Sequence, residues 1–283
     1  MAESFHIRDL LLIQSLPMQP ISATLITYNE ENNIAEALKS LSWVDEILVV
    51  DSGSSDATVE ICRSFNSTII HRDWTGYVDQ KNFALEKAKN GWIFSLDADE
   101  RASPELIHEI EELNRRGFSS PGYKIPRVAF FMGRWIRHGD WYPDYQLRLF
   151  DRRAGRWEGG RVHESVRMSG NPEFLSGEIL HYTYRNISEY LVRLETYSSL
   201  AASDYRQKGK RATFPGLICN PLAVFLKSYL LKRGFLDGAP GLMVAAMGAV
   251  SVFFKYSKLY EIQLGKGGRP PLRGSDKSNK SVL

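Results

Sequence analysis

Glu46-Ile-Leu-Val-Val50 is apolar at every position after its first. A β-strand sends alternate side chains to opposite faces, so a run with no polar face must be covered on both sides. That demand restricts the chain to a sheet lying between helices. The neighbouring sequence supplies them. Ile21 to Thr27 is β-prone, and Ile34, Ala37, Leu38 and Leu41 then recur with the i, i+3, i+4, i+7 spacing of one helix face. A helix is predicted over Ala57–Phe65, with Ser55 or Asp56 as its N-cap, then a short strand at Ser67–Ile70. Another helix, from about Tyr77 to Ala88, precedes a strand at Trp92–Leu96. Ser103-Pro104-Glu105 offers a cap, a proline at the first helical position and an acid in the first turn of a helix running to about Arg116. Strands alternating with helices imply an α/β domain with a mostly parallel sheet. A chain of 283 residues has room for one such domain and an appendage.

Ligands of such sheets gather beyond the carboxyl ends of the strands. Three polar clusters fall there: Tyr28-Asn29-Glu30, Asp51-Ser52-Gly53 and Asp97-Ala98-Asp99. Alternating geometry predicts that Asp97 and Asp99 share one side of the chain. Two hard oxygen ligands there suit Mg²⁺ or Mn²⁺, with water and phosphate oxygens completing the shell. An isolated Asp-x-Asp is equally an ordinary acidic turn. No G-x-G-x-x-G opens a helix, and no G-x-x-x-x-G-K-[ST] occurs, which disfavours the usual dehydrogenase and P-loop sites. The acidic triplet also lacks the third ligand and glycine of an EF-hand.

Ile26-Thr-Tyr-Asn-Glu-Glu31, Val49-Val-Asp-Ser-Gly-Ser-Ser-Asp56 and Leu96-Asp-Ala-Asp-Glu100, in this order, resemble family 2 inverting glycosyltransferases over about residues 20–185. Asp-Ala-Asp-Glu and Gln80-Lys-Asn82 bring the chain nearest to the lipopolysaccharide core biosynthesis group, which includes β-glucosyltransferases. The resemblance implies the GT-A fold, a UDP-sugar donor and a divalent cation, Mg²⁺ or Mn²⁺. It places Thr27, Tyr28, Glu30, Asp51, Gly53 and Asp97 around the nucleotide, with Asp99 as the direct metal ligand and His181 completing the metal shell. Lys81 would neutralise the diphosphate; its alternative is a solvated helix lysine.

Gly122–Met132 and Tyr145–Phe150 read as strands flanking Gly133-Arg-Trp-Ile-Arg-His138-Gly-Asp-Trp-Tyr-Pro143-Asp144. Aromatic faces suit sugar C–H surfaces, and basic groups suit hydroxyls and phosphates. Trp135, His138, Trp141, Arg148 and His163 are therefore the expected acceptor or sugar contacts, although tryptophans also serve as packing anchors. An inverting transfer needs a base for the acceptor hydroxyl. The resemblance assigns it to Glu164, with Asp140 and Asp144 as competitors and a plain surface glutamate as the alternative. No Gln-x-x-Arg-Trp signature of processive members occurs, so transfer of a single sugar is expected.

The domain boundaries read as a lead-in at 1–20, a GT-A catalytic domain at 21–185, a helical membrane-associating region at 186–264 and a basic disordered tail at 265–283. Asn186-Ile-Ser-Glu189 starts a helix like a capping box. Two apolar segments follow, Phe214–Leu231 and Ala239–Phe254; the second has 16 uncharged residues, short of the ~20 that span a bilayer. Flanking Lys232-Arg233, Lys255 and Lys258 favour in-plane or re-entrant attachment to an anionic leaflet, with a core-covering hairpin and a spanning hairpin as alternatives. A net charge of only +3 makes the whole chain no polyelectrolyte, while the basic run from Lys255 to Lys280 suits an anionic surface, membrane or nucleic acid. Beside the apolar segments the membrane is the expected partner and nucleic acid is not, and the C-terminal helices offer a surface for self-association. Two cysteines outside any C-x-x-C pair fit a reducing compartment. The expected function is metal-dependent transfer of one hexose, glucose from UDP-glucose, to a membrane glycolipid at the cytoplasmic face of the inner membrane. The rivals are a sugar-phosphate nucleotidyltransferase and a non-catalytic, membrane-docked sugar-nucleotide-binding protein.

Overall fold

The computed structural model describes residues 17–159, 164–184 and 186–265. They separate into two compact units, one holding positions up to 137 together with 141–183, the other holding 138–140 together with 184 onward.

The first unit is built on one mixed sheet. β1 (Ile21–Thr27), α1 (Ile34–Lys39), β2 (Glu46–Asp51), α2 (Thr58–Ser64), β3 (Thr68–His71), α3 (Tyr77–Lys87) and β4 (Trp92–Ser95) alternate as the sequence predicts. After them come β5 (Glu100–Ala102), α4 (Pro104–Arg116), β6 (Gly122–Phe131), β7 (Arg134–Ile136), β8 (Asp144–Asp151), β9 (Gly155–Gly159), β10 (Glu164–Met168), β11 (Glu173–Phe174) and β12 (Ile179–His181). The sheet runs β3-β2-β1-β4-β8-β6-β12-β5, while β9 and β10 form a separate hairpin. The first four strands are mutually parallel, and β8 enters antiparallel between β4 and β6. The register sets Thr27 beside Asp51 and Asp51 beside His71, so the polar clusters share one edge.

Leu48, Val49 and Val50 are all buried, on opposite faces of β2, as a strand covered on both sides requires. Two packed clusters result. Leu25, Ile34, Leu38, Phe94 and Ile110 belong to one, and Leu48, Leu85, Ile93, Phe150 and Trp157 to the other. Ser103 caps α4 by accepting the Leu106 N–H at 3.1 Å, as predicted. The start of α2 differs: its N-cap is Ala57, and Asp56 instead accepts the Thr58 N–H at 3.0 Å from just outside the helix.

The second unit holds α5 (Ile187–Gln207), α6 (Phe214–Leu226), which continues as a wider turn through Leu231, and α7 (Gly238–Gln263). Asn186 caps α5 by accepting the Glu189 N–H at 2.9 Å. α7 is 26 residues long, so the helix outruns the 16-residue uncharged run within it. Lys255 and Lys258 end the uncharged run but not the helix, because lysine is a good helix former. Both apolar helices are long and apolar enough to cross a membrane by length and composition.

Candidate active site

Beyond β1 and β2, two loops lace together. Asn29, at a left-handed φ of 55°, donates its N–H to Ser54 Oγ at 2.9 Å and accepts the Ser55 N–H at 2.8 Å. The Glu30 N–H bonds Thr58 Oγ1 at 2.7 Å, and the Glu30 carboxylate accepts Asn33 Nδ2 at 2.9 Å. Tyr28 stands 59% exposed at the rim, free to offer a flat face. Asp51 is buried, and its carboxylate accepts four hydrogen bonds: from Thr27 Oγ1, Ser54 Oγ, and the N–H groups of Gly53 and Ser54. Those four occupy its lone pairs. As it stands, Asp51 builds the loop, and Thr27 holds it from β1. Gly53 adopts φ +90°, which a side chain would strain.

The acidic triplet is a turn, not an extended strand end: the Glu100 N–H bonds the Asp97 carbonyl at 3.0 Å. Alternation therefore does not govern it, and the two aspartates take different partners, contrary to the period-two expectation. Asp97 meets Lys81 Nζ at 2.9 Å and Arg148 Nη2 at 2.7 Å. Burial alone would raise its pKa, but Arg148 and then Lys81 outweigh that and hold the carboxyl well below the usual range. Asp99 instead meets His181 Nε2 at 3.3 Å, and the His181 strand is fixed beside it by the Tyr182 N–H to the Asp99 carbonyl at 2.9 Å. An oxygen and an imidazole nitrogen thus converge, a donor pair of the kind that would fit a divalent cation. Among the described residues no group of three His, Cys, Asp or Glu side chains converges on one point. Asp97, neutralised by two cations, is the poorer ligand.

Lys81 is 4% exposed, which overturns the solvated-lysine alternative. Its ammonium contacts Asp97, reaches Glu164 Oε1 at 3.4 Å and sits 4.3 Å from the Trp157 ring centroid. Its neighbours on α3 are buried too. Gln80 Nε2 donates to Ser52 Oγ at 2.9 Å, and Asn82 exchanges two hydrogen bonds with the Trp157 backbone. Three consecutive polar residues therefore tie α3 to the β2 loop, to the acidic turn and Glu164, and to β9.

Arg148, expected at the sugar, lies buried beneath the turn, where Nη2 bonds Asp97 and also Glu100 at 3.0 Å. Its place within an apolar strand of β8 dictates this: a cation there must find carboxylates inside. Glu100, fully buried, additionally accepts the Asp97 N–H and Arg127 Nη1 at 2.8 Å. Arg127 in turn holds Asp144, which also accepts Gln146, so this competing base is spent on structure. Glu100, Arg127 and Trp157 escaped the sequence reading. For Glu100 a signal existed, since it completes Asp-Ala-Asp-Glu; Arg127 sits in an apolar strand and could have been flagged as a cation needing partners.

The remaining acceptor candidates have separate partners among the described residues. Trp135 packs against Phe130 and Tyr182, and Trp141 sets its edge against Phe131. His138 and Asp140 belong to the second unit. The His138 N–H and Nδ1 both engage buried Asp237, at 2.8 and 3.1 Å, and Asp140 pairs with Lys232 at 2.8 Å. His163 lies outside the described residues.

The profile of the family described as "Glycosyl transferase family 2" matches residues 22–167, just over half of the chain and all of the strands bearing the acids. The chain belongs to glycosyl transferase family 2. Membership of this family makes the protein a glycosyltransferase with a GT-A-like α/β fold, and sets the nucleotidyltransferase alternative aside. A lipopolysaccharide core biosynthesis glycosyltransferase, LpsC of Rhizobium meliloti, is 32% identical over 87% of this chain and 94% of its own. An uncharacterized glycosyltransferase of Rickettsia typhi is 30% identical over 87% of this chain and 89% of its own. Among solved structures, S. aureus TarS 1-349 in complex with UDP-GlcNAc aligns over 87% of this family 2 chain and 92% of that one, with 14% identity and a TM-score of 0.44. A glucosyl-3-phosphoglycerate synthase from Mycobacterium tuberculosis, in complex with Mn²⁺, UDP and glucosyl-3-phosphoglycerate, aligns over 41% and 45% of the two chains, with 22% identity and a TM-score of 0.34.

Proposed function

We propose that this glycosyltransferase moves one hexose, glucose from UDP-glucose, onto a membrane-borne glycolipid, the lipopolysaccharide core or a lipid-linked saccharide, at the cytoplasmic face of the inner membrane. The observation that carries this reading is the buried Lys81 ammonium, which touches Asp97 on the donor side and Glu164 on the acceptor side. A donor diphosphate bound beside the acidic turn would find positive charge already in place, at no cost of reorganisation. The likeness to LpsC over nearly the whole of both chains supports the acceptor class.

Glu164 accepts the proton of the acceptor hydroxyl as that oxygen attacks the anomeric carbon. One C–O bond forms, the bond to the diphosphate oxygen breaks, and the electron pair leaves with UDP. A single displacement inverts the anomeric carbon and needs no covalent enzyme intermediate. Asp99 and His181 would hold Mg²⁺ or Mn²⁺, which supplies positive charge to the leaving diphosphate. Lys81 supplies further positive charge beside the turn, and Asp51 keeps the uridine loop in shape through Thr27, Gly53 and Ser54. Tyr28 offers the exposed aromatic face for the base, and Glu30 the carboxylate for the ribose.

The test is donor turnover by the full chain across a panel of UDP-hexoses, with and without Mg²⁺ or Mn²⁺, followed by assignment of the product anomer. Metal-dependent turnover with inversion is expected, lost in Asp99→Ala. Retention of configuration, or an Asp99→Ala protein that keeps metal-dependent turnover, would sink the proposal.

A further inference from the structure

The second unit carries an apolar face that nothing among the described residues covers. α6 has no buried residue, and only 6% of the Phe214–Leu231 stretch is buried. Phe214, Ile218, Leu222, Leu226 and Leu230 recur every fourth position and are 41–70% exposed. That spacing sets them in one stripe. Directly before it stand Arg206, Lys208, Lys210 and Arg211, four cations in six residues. Among the described residues of this unit, the ion pairs use His138, Arg193, Lys232 and Lys258 instead. Lys210 and Lys255 both lie against the Tyr205 ring, at 4.3 and 4.5 Å from its centroid, so the basic cluster joins the loop before α6 to the last turns of α7.

An apolar stripe beside a basic run matches an anionic lipid surface. Length alone would also allow the helices to cross a bilayer, but three observations favour lying on it. First, α5 runs along α7, from the Tyr190 hydroxyl on the Met247 carbonyl to Glu195 on Lys258 and Tyr205 on Lys255. α7 could not enter hydrocarbon without dragging in the charges of α5. Second, the turn between α6 and α7 is held by His138–Asp140. The Gly139 N–H bonds the Lys232 carbonyl at 3.0 Å, Asp140 pairs with Lys232, and Asp237 binds His138. Carrying this turn across a bilayer would take Asp140, Lys232 and Asp237 through the hydrocarbon with it. Third, cations stand at both ends of α6, Lys208 to Arg211 before it and Lys232-Arg233 after it, which denies the one-sided charge bias of a spanning helix.

We infer that α6 docks in the plane of an anionic bilayer, its stripe among the acyl chains and the Arg206–Arg211 run on the headgroup phosphates. This deepens the membrane-borne acceptor of the proposed function by naming the surface that reaches it. Cys219 neighbours the stripe and is exposed, while Cys62, the other free cysteine, is buried, so the native protein takes an environment-sensitive maleimide dye at one place. Vesicles of phosphatidylcholine with one third phosphatidylglycerol should blue-shift the dye, and phosphatidylcholine alone should do so far more weakly. The triple variant Lys208→Gln, Lys210→Gln, Arg211→Gln should partition roughly a hundredfold less onto the anionic vesicles. Its metal-dependent donor hydrolysis should match the parent. Ile218→Ser with Leu222→Ser should weaken binding to both vesicle types, and alkaline carbonate should release the parent protein. Release by detergent alone would make the helices spanning, and equal binding to both vesicle types would remove the headgroup role. A dye shift that follows protein concentration without lipid would put a second copy on the stripe. Loss of donor hydrolysis with vesicle binding intact would count against the proposed function and leave the docking surface standing.

Discussion

A lysine as enclosed as Lys81 must have counter-charge, and it has two, Asp97 and Glu164, which the proposed chemistry places on opposite sides of the reacting bond. That makes single substitutions informative. Glu164→Gln keeps an oxygen near the ammonium but cannot take a proton. Its kcat should fall about 10²- to 10⁴-fold, the usual worth of a positioned base, with donor binding little changed in a titration. If transfer continues at the parent rate, the base lies elsewhere. Lys81→Met has the opposite pattern. Asp97 retains Arg148 at 2.7 Å, so the fold should survive, while the donor loses a positive charge. KM for the donor should rise, whereas Lys81→Arg should not restore it, because a guanidinium is larger and differently shaped. Arg148→Met is the contrasting case. It strips Glu100 and Asp97 of a buried partner and should cost about 3–5 kcal/mol in urea denaturation.

At the scale of elements, α3 and the acidic turn explain how much of the site could be read in advance. The alternation of strands and helices at the start of the fold follows from apolar runs such as Leu48–Val50, and local signals placed Ser103 and Asn186 as caps. Strand ends also announced Asp97 and Asp99. Partnerships were hidden, because they join residues far apart in sequence: Lys81 with Glu164, Arg148 with Asp97, His138 with Asp237. Nothing local says whether a helix lysine faces water or a carboxylate 83 positions later. The same holds for close packing between elements. A Cβ at Gly177 would lie 2.4 Å from the Leu106 Cα on α4, a backbone that cannot step aside. Gly177→Ala should therefore destabilise the first unit by about 3 kcal/mol, read as a lower urea midpoint. An unchanged midpoint would mean the approach of residue 177 to α4 is looser than described.

For the whole molecule, net charge is close to neutral, so acid sensitivity should come from particular buried groups and not from general repulsion. Asp97 is the clearest of these. Arg148 and Lys81 hold its folded pKa well below the ordinary aspartate value of 3.8, against the opposing effect of burial. A carboxylate with a depressed folded pKa contributes stability that is fully present above its unfolded value and is lost as pH falls through the folded one. The urea midpoint should thus be flat from neutral pH down to about pH 5 and decline below about pH 4. All six tryptophans lie in the first unit, so their fluorescence reports its unfolding separately from the helical one. Asp97→Asn should lower the midpoint at neutral pH, because Lys81 and Arg148 lose a shared anion, and should flatten the acid decline. Parallel acid limbs in the two proteins would show that another carboxylate governs the transition, and that the two cations do not draw their stability from Asp97.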